Sequence, residues 1–361
     1  MDGGDPRALL RALAAAGRFT GTPALARARS LCAARLEDLG FEVRESPFRY
    51  STIPARFGMP AVGASSAALL AVAAWLDGAG AAAAAAAIAV AGLAGVLMLA
   101  RWLTSRGALS LPWARAEGVN VEATRGAAPR VWLVAHLDSK SQRYSLAWRA
   151  AGAALSLTAW VALLASIAAG LRGSAWWHPW FVWGPGVAGG ALLMFASSGN
   201  ASPGAADNAS GVATVLAAAA LLADDAGAGV LITDAEEVGL AGAHAWAANR
   251  APGIAVNCDT VDDRGWLMLL TSGQRPKALT GAVARAAQHT GIRCGIRALP
   301  IGVLTDGVAL SRAGWACATL GRAGVGTLLR IHTPRDSVEH MEGSGVASAA
   351  ALLAAIVQEL R

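Results

Sequence analysis

Five short segments carry acidic and histidine side chains at spacings that could hold metal ions. VWLVAHLDS (131–139) contains His136 and Asp138, and AADNASG (205–211) holds Asp207. LITDAEEVGLAG (231–242) carries Glu236 and Glu237, VNCDT (256–260) carries Asp259, and RIHTPRDS (330–337) holds His332. Each is weak alone, because a single His-x-Asp or Glu-Glu is ordinary surface or core material. Together, in a chain with only 15% charged residues, they are hard to dismiss. Imidazole plus carboxylate suits zinc or a similar divalent ion. An adjacent Glu-Glu can supply one ligand and one free carboxylate, which acts as base on a water that the metal activates.

The elements that must position these residues alternate between helix and strand. The pattern predicts helices over 24–39, 209–223, 240–249, 277–290 and 346–360. Strands are expected at FEVRESPFRY (41–50), GVNVEAT, VWLVAHLD, VLITDAE, GIAVNCD, WLMLLT and ACATLG. Continuous Val/Ile/Leu strands between helices imply an α/β fold whose sheet is covered on both faces. The candidate ligands fall at the C-terminal ends of those strands, the usual ligand edge of such a sheet.

The rest of the chain is apolar. The 361 residues are 55% hydrophobic, and the mean hydropathy is +0.45. An ordinary soluble domain carries about 25% charged residues, so a disordered chain is excluded and a wholly soluble globule is not expected. Uncharged runs come in two pairs: 57–76 and 78–100, joined by a turn at Asp77 and Gly78, then 150–171 and 175–198. A bilayer needs ~20 apolar residues per helix. Three runs are long enough, and the fourth is marginal because Pro185 and several glycines interrupt it. Trp75, Trp102, Trp176, Trp177, Trp180 and Trp183 sit near the run ends, as an interfacial belt would have them. The reading is two transmembrane hairpins, with the lipid bilayer as a partner. The net charge is +6, almost all of the basic set is arginine, and no basic run is interleaved with aromatics. No nucleic-acid partner is therefore expected.

The ordered set AHLDS, ADNASG, DAEEVGLAG, NCD and IHTPRDS resembles the co-catalytic di-zinc aminopeptidases of metallopeptidase family twenty-eight. The opening GRFTGTPALARARSLCAARLEDLGFEV resembles that family's first helix and strand. The resemblance implies a mixed, mostly parallel, zinc-exopeptidase-like sheet and two zinc ions. It implies Asp207 as the bridging carboxylate, His136 and Asp259 completing one site, and Glu237 and His332 the other. Glu236 would be the general base, Asp138 would orient His136, and the Asp207–Asn208 peptide would be cis. The implied activity is hydrolysis of N-terminal peptide bonds. Two departures stand out. The interval between His136 and Asp207 is unusually long, its excess being the second hydrophobic pair, and Ile331 stands where family members often carry tyrosine. The alternatives are a non-catalytic membrane scaffold and a glutaminyl-cyclase-like acyltransferase, towards which the DSK after His136 points.

The expected organisation is a catalytic domain built from 1–56, 104–145 and 199–361, interrupted by hairpins at 57–103 and 146–198. Asp306 reads equally as a pocket residue or a helix N-cap, and Asp336 as a support of the His332 loop or a turn residue. His178 is expected at the interface, and His244, His289 and His340 on helix surfaces or caps. Arg56, Arg101, Arg106, Arg115, Lys140, Arg143 and Arg149 flank the outer ends of the hairpins, whereas the tips carry Asp77 and Arg172. Positive residues collect on the cytoplasmic side, so a catalytic domain facing the cytoplasm of a bacterial membrane is expected. Cys32, Cys258, Cys294 and Cys317 without a CxxC spacing, and a start without a secretory pattern, agree with that side.

Overall fold

The structure, a computed structural model, describes residues 5–103, 107–126, 128–171, 179–300 and 302–361. Arg106, Arg172, Trp176, Trp177 and His178 lie outside the described residues. The strands are β1 (Glu42–Ser51), β2 (Arg115–Thr124), β3 (Val131–His136), β4 (Ser141–Gln142), β5 (Ser198–Gly199), β6 (Ala228–Thr233), β7 (Ile254–Val261), β8 (Trp266–Thr271), β9 (Gly295–Ala298) and β10 (Ala316–Ala323). The helices are α1 (Pro6–Leu13), α2 (Pro23–Asp38), α3 (Met59–Gly78), α4 (Ala82–Trp102), α5 (Ala108–Ser110), α6 (Leu146–Ala169), α7 (Pro179–Met194), α8 (Ser210–Leu221), α9 (Ala241–Ala247), α10 (Lys277–Thr290), α11 (Asp306–Arg312), α12 (Val325–Arg330) and α13 (Ser344–Glu359).

The main sheet has the order β1-β2-β6-β3-β7-β10-β8-β9. Its centre, β6-β3-β7-β10, is parallel, β1, β2 and β8 join antiparallel, and β9 runs parallel to β8. This is the mixed, mostly parallel, zinc-exopeptidase-like sheet the motifs imply. Alternation along β3 sends Val131, Leu133 and Ala135 into a large core with α1, α2, α8, α10 and α13. It sends Trp132 and Val134 into a smaller one with Trp246, Leu310 and Trp315. Both faces are therefore dry, which is why the strands read as unbroken apolar runs.

Both apolar pairs leave the fold at the C-terminal edge of the parallel strands, one between β1 and β2 and the other after β3. Pro54–Gly78, Ala82–Trp102 and Leu146–Ala169 are long and apolar enough to cross a bilayer, by length and composition. The fourth run is described from Pro179, where it is helical to Met194. Pro185 lies inside that helix, where the sequence places the interruption. The first turn falls later than expected: Asp77 and Gly78 close α3, and Ala79–Ala81 make the reversal. The helices pack through small residues. A Cβ on Gly63 would lie 2.5 Å from the Gly190 carbonyl oxygen, and one on Gly189 2.5 Å from that of Gly152, so these backbones touch only because glycine stands there. The Ser66 and Ser156 hydroxyls bond at 2.7 Å, and Trp160 Nε1 donates to Ser66 Oγ at 2.9 Å. These bonds tie α3 to α6 without leaving a polar group unpaired in an apolar interior.

Arg18 fixes the loops that carry the candidate ligands. Its buried guanidinium donates to the carbonyls of Leu13 (2.8 Å), Leu137 (2.9 Å), Pro203 (2.6 Å) and Gly204 (3.0 Å). Leu137 lies between His136 and Asp138, and Gly204 just precedes the Asp207 turn. One side chain thus joins the first helix to two candidate ligand loops that are distant in sequence. Removing it strands buried acceptors, and a hydrogen bond to a charged group is worth roughly 1.5–3 kcal/mol. Arg18→Met should lower the unfolding free energy in detergent by about 2–3 kcal/mol, measured by denaturant titration. A loss within error of zero would contradict this role.

Candidate metal centre

Each expected site residue arrives on its own strand end or turn. His136 is the last residue of β3, Asp259 lies near the end of β7, and Glu236 and Glu237 form a single tight turn after β6. Asp207 (φ −120°, ψ 91°) and Asn208 (φ −138°, ψ 38°) break the chain just before α8, and the peptide between them is cis, as the resemblance implies. His332 follows α12 with a positive φ of 63°, and Ala235 and Thr260, beside the ligand positions, also have positive φ. Non-glycine residues in that region cost energy and collect at functional sites.

The side chains converge. Asp207 turns one oxygen to each histidine: Oδ1 is 3.2 Å from His136 Nε2 and Oδ2 is 2.9 Å from His332 Nε2. His136 Nε2 is also 3.9 Å from Asp259 Oδ2, and His332 Nε2 is 3.4 Å from Glu237 Oε1. Two trios have ligand atoms close enough to share an ion: Asp207, Glu237 and His332, and His136, Glu236 and Asp259. Glu236 therefore stands inside the second trio, beside the position expected for a base. Asp138 is fully buried. It accepts hydrogen bonds from the backbone N–H groups of Glu236 and Glu237, both at 3.1 Å, while its carbonyl oxygen lies 3.0 Å from His136 Nδ1. It therefore locks the Glu-Glu turn as well as the histidine ring.

The charges show what the cluster is built to hold. Burial alone would raise the Asp207 carboxyl, but hydrogen bonds from His136 and His332 hold it well below the usual range. Burial likewise opposes ionisation of Glu237, yet Lys140 and His332 bring it down to about 2. Burial pushes Glu236 well above the usual carboxyl range; its neighbours Glu237, Asp306 and Asp259 add to that against His136. Asp259 is pushed up to about 7 by burial, with Asp207 adding to it. His136 is raised despite burial, because Glu236, Asp138, Asp207 and Asp259 surround it. Carboxylates crowded in this way need positive charge. The inward-facing Glu237 Oε1 is buried without a hydrogen-bond partner, as an oxygen reserved for a cation would be. The donor set fits zinc, with His136, Asp207, Glu237, Asp259 and His332 able to hold it.

Three supports were not legible as such in the sequence. Lys140 pairs with Glu237 Oε2; its place next to the His136 motif was the available signal. Asp336 accepts from the N–H groups of Ala206 (2.8 Å) and Asp207 (3.1 Å) and so steadies the Asp207 turn, while its own N–H donates to the Thr333 carbonyl beside His332 at 3.1 Å. Asp306 opens α11 but does not cap it, since Thr305 holds the N-cap position. Its buried carboxyl pairs with Thr233 at the end of β6, and burial pushes it up to about 6. Among the described residues the other histidines lie outside the cluster: His289 pairs with Glu359 at 2.9 Å, His340 is exposed, and His244 sits on α9. A cavity of about 250 Å³ opens on the cluster and is bounded on its other side by Met59, Val62, Leu103, Leu146 and Ile331.

Residues 191–357 match the sequence model of peptidase family M28, the family the motifs resemble. That span includes Asp207, Glu236, Glu237, Asp259 and His332. No curated protein sequence matches the chain. Among solved structures, the chain is similar to a glutaminyl cyclase of Porphyromonas gingivalis, at 14% identity over 99% of this chain and 98% of that one, with a TM-score of 0.56. It is similar to a zinc aminopeptidase of Bacillus subtilis at 14% identity over 98% and 94% of the two chains, TM-score 0.56. A Zn-dependent exopeptidase of Parabacteroides distasonis gives 14% over 98% and 96%, TM-score 0.56. At such identity the likeness is one of fold. Because Asp138 holds both the histidine and the Glu-Glu turn, Asp138→Asn should weaken zinc binding about 10–100-fold in competition with a chromophoric chelator. Unchanged affinity would contradict its place in the centre.

Proposed function

We propose that the protein is a membrane-embedded zinc aminopeptidase, anchored by the hairpins at 57–103 and 146–198. The observation that carries this reading is Asp207, whose two oxygens each face a different histidine, with Glu237 beside one and Asp259 beside the other. That is the arrangement a carboxylate shared by two ions requires. When bound, the zinc ions would supply Lewis acidity, polarising the scissile carbonyl and making a water acidic enough to deprotonate at neutral pH. Glu236 takes the proton from the attacking water and returns it to the nitrogen of the leaving amine as the C–N bond breaks. Its raised proton affinity suits that shuttle, because the acid form must persist long enough to protonate the amine. Asp138 and His136 keep the Glu-Glu turn and the ligand ring in register while this happens.

A glutaminyl-cyclase-like acyl transfer is the second reading, favoured by Lys140 on Glu237 Oε2. The ammonium partly neutralises that ligand and so weakens the demand for a second ion. The two are separated by zinc content and by product. The aminopeptidase should hold two zinc ions and release N-terminal residues, whereas the cyclase should hold one and release ammonia from N-terminal glutamine. A scaffold would purify without stoichiometric zinc. Asp207→Ala should lose both ions, and Glu236→Gln should keep them while the rate falls roughly 10²–10⁴-fold. Retention of a full metal complement by the Asp207 variant would refute the bridge.

Arg56, Arg101, Arg115, Lys140, Arg143 and Arg149 flank the roots of the hairpins, whereas the tip of the first carries Asp77. By the positive-inside rule the catalytic domain faces the cytoplasm. In a Cys294→Ser background, whose other native thiols are buried, an impermeant thiol reagent on intact cells should label Gly78→Cys and spare Arg275→Cys. The reverse pattern would put the catalytic domain outside.

A further inference from the structure

The cavity over the metal cluster is not walled by the catalytic domain alone. Met59 and Val62 come from α3, Leu103 follows α4, and Leu146 opens α6. All are apolar, and all belong to the first turns or flanks of helices long enough to cross a bilayer. The Glu-Glu turn, Asp207 and His332 form the opposite wall. The space in which a peptide must lie is therefore the seam between sheet edge and helix roots, and in a membrane that seam lies at the bilayer surface. The outer rim agrees. Phe57, Trp113 and Trp148, all near the helix roots, are 61%, 66% and 59% exposed, and aromatic side chains so placed prefer the headgroup layer. Beside them α12, which packs on α6, leaves Leu329 half exposed and Val325 largely exposed.

We propose that the substrate enters from the bilayer interface. It is a membrane-anchored or interface-adsorbed polypeptide whose apolar N-terminal residue packs against Met59, Val62, Leu103 and Leu146. The inference rests on the aminopeptidase reading and adds the substrate class. Lys140 and Arg149 also line the cavity, but Lys140 is paired with Glu237 and Arg149 donates to Gln142 Oε1 at 2.6 Å, so charged N-terminal residues are disfavoured against the apolar wall. A soluble peptide reaches the same seam only after adsorbing to the membrane.

The test uses the zinc-loaded full-length protein in phosphatidylcholine–phosphatidylglycerol vesicles. Peptides with free N-termini are held in the same vesicles by a C-terminal transmembrane anchor, through linkers of about 5 or about 30 residues. An extended linker spans at most ~3.3–3.6 Å per residue, so the short one keeps the N-terminus within roughly 17 Å of the bilayer surface. Short- and long-linker peptides should be cut at rates within about threefold of each other. An N-terminal leucine should exceed an N-terminal aspartate roughly 10-fold or more in kcat/KM, as an apolar pocket discriminates. Val62→Trp should lower turnover of the short-linker leucine peptide by a similar factor. If only the long-linker peptide is cut, the mouth faces bulk water and the inference fails while the peptidase reading stands. Equal rates for leucine and aspartate would overturn the apolar wall. If no peptide is cut, soluble or anchored, the peptidase reading fails and this inference with it.

Discussion

Crowding negative charge in a dry place is the constraint on which the rest of this structure depends. Asp138, Asp207, Glu236, Glu237, Asp259 and Asp306 lie together at the C-terminal edge of the sheet, all but Asp259 buried. Unpaired carboxylates in such surroundings are too costly to stay ionised. Four are answered individually: Asp138 by backbone N–H groups, Asp207 by two imidazoles, Glu237 by an ammonium and Asp306 by a hydroxyl. Glu236, Asp259 and Asp306 keep a raised proton affinity. Divalent ions would complete the balance. The same crowding makes Glu236 a carboxylate that readily takes up a proton.

The fold meets this constraint with rigidity from a distance. Arg18 binds the backbone on either side of the His136 and Asp207 turns, and Asp336 holds the N–H groups at Asp207. Neither lines the cavity, yet both hold the backbone from which the candidate ligands project, as a metal site requires. The apolar hairpins enter through loops at the same edge, outside the central order β6-β3-β7-β10. Residues at the roots of those hairpins line the cavity over the candidate ligands, so the membrane reading and the site reading concern the same cavity.

Much of this was legible in the sequence, for a physical reason. Ligands at strand ends follow unbroken apolar runs, so His136, Asp207, Glu236, Glu237, Asp259 and His332 stand out by contrast in a chain poor in charge. The central strands of the sheet were legible for the same reason, being buried on both faces. What escaped depended on contacts across the chain. Nothing local says that Arg18 caps four carbonyls, that Asp336 serves Asp207, or that Lys140 pairs with Glu237. Strand β9 and helix α11 are short, and only their neighbours make them regular. The packing of the fourth apolar run was hidden in the same way: Gly186, Gly189 and Gly190 let its helix lie against α3 and α6, contacts that hydropathy does not reveal.

The central claim is that Asp207 joins two ions at the head of the sheet. Anomalous diffraction at the zinc edge from crystals of the zinc-loaded full-length protein tests it most directly. The account predicts two anomalous peaks about 3.5–4 Å apart, one on each side of the Asp207 carboxylate, the first beside His136 and Asp259 and the second beside Glu237 and His332. A single peak, or zinc bound away from Asp207, would contradict it.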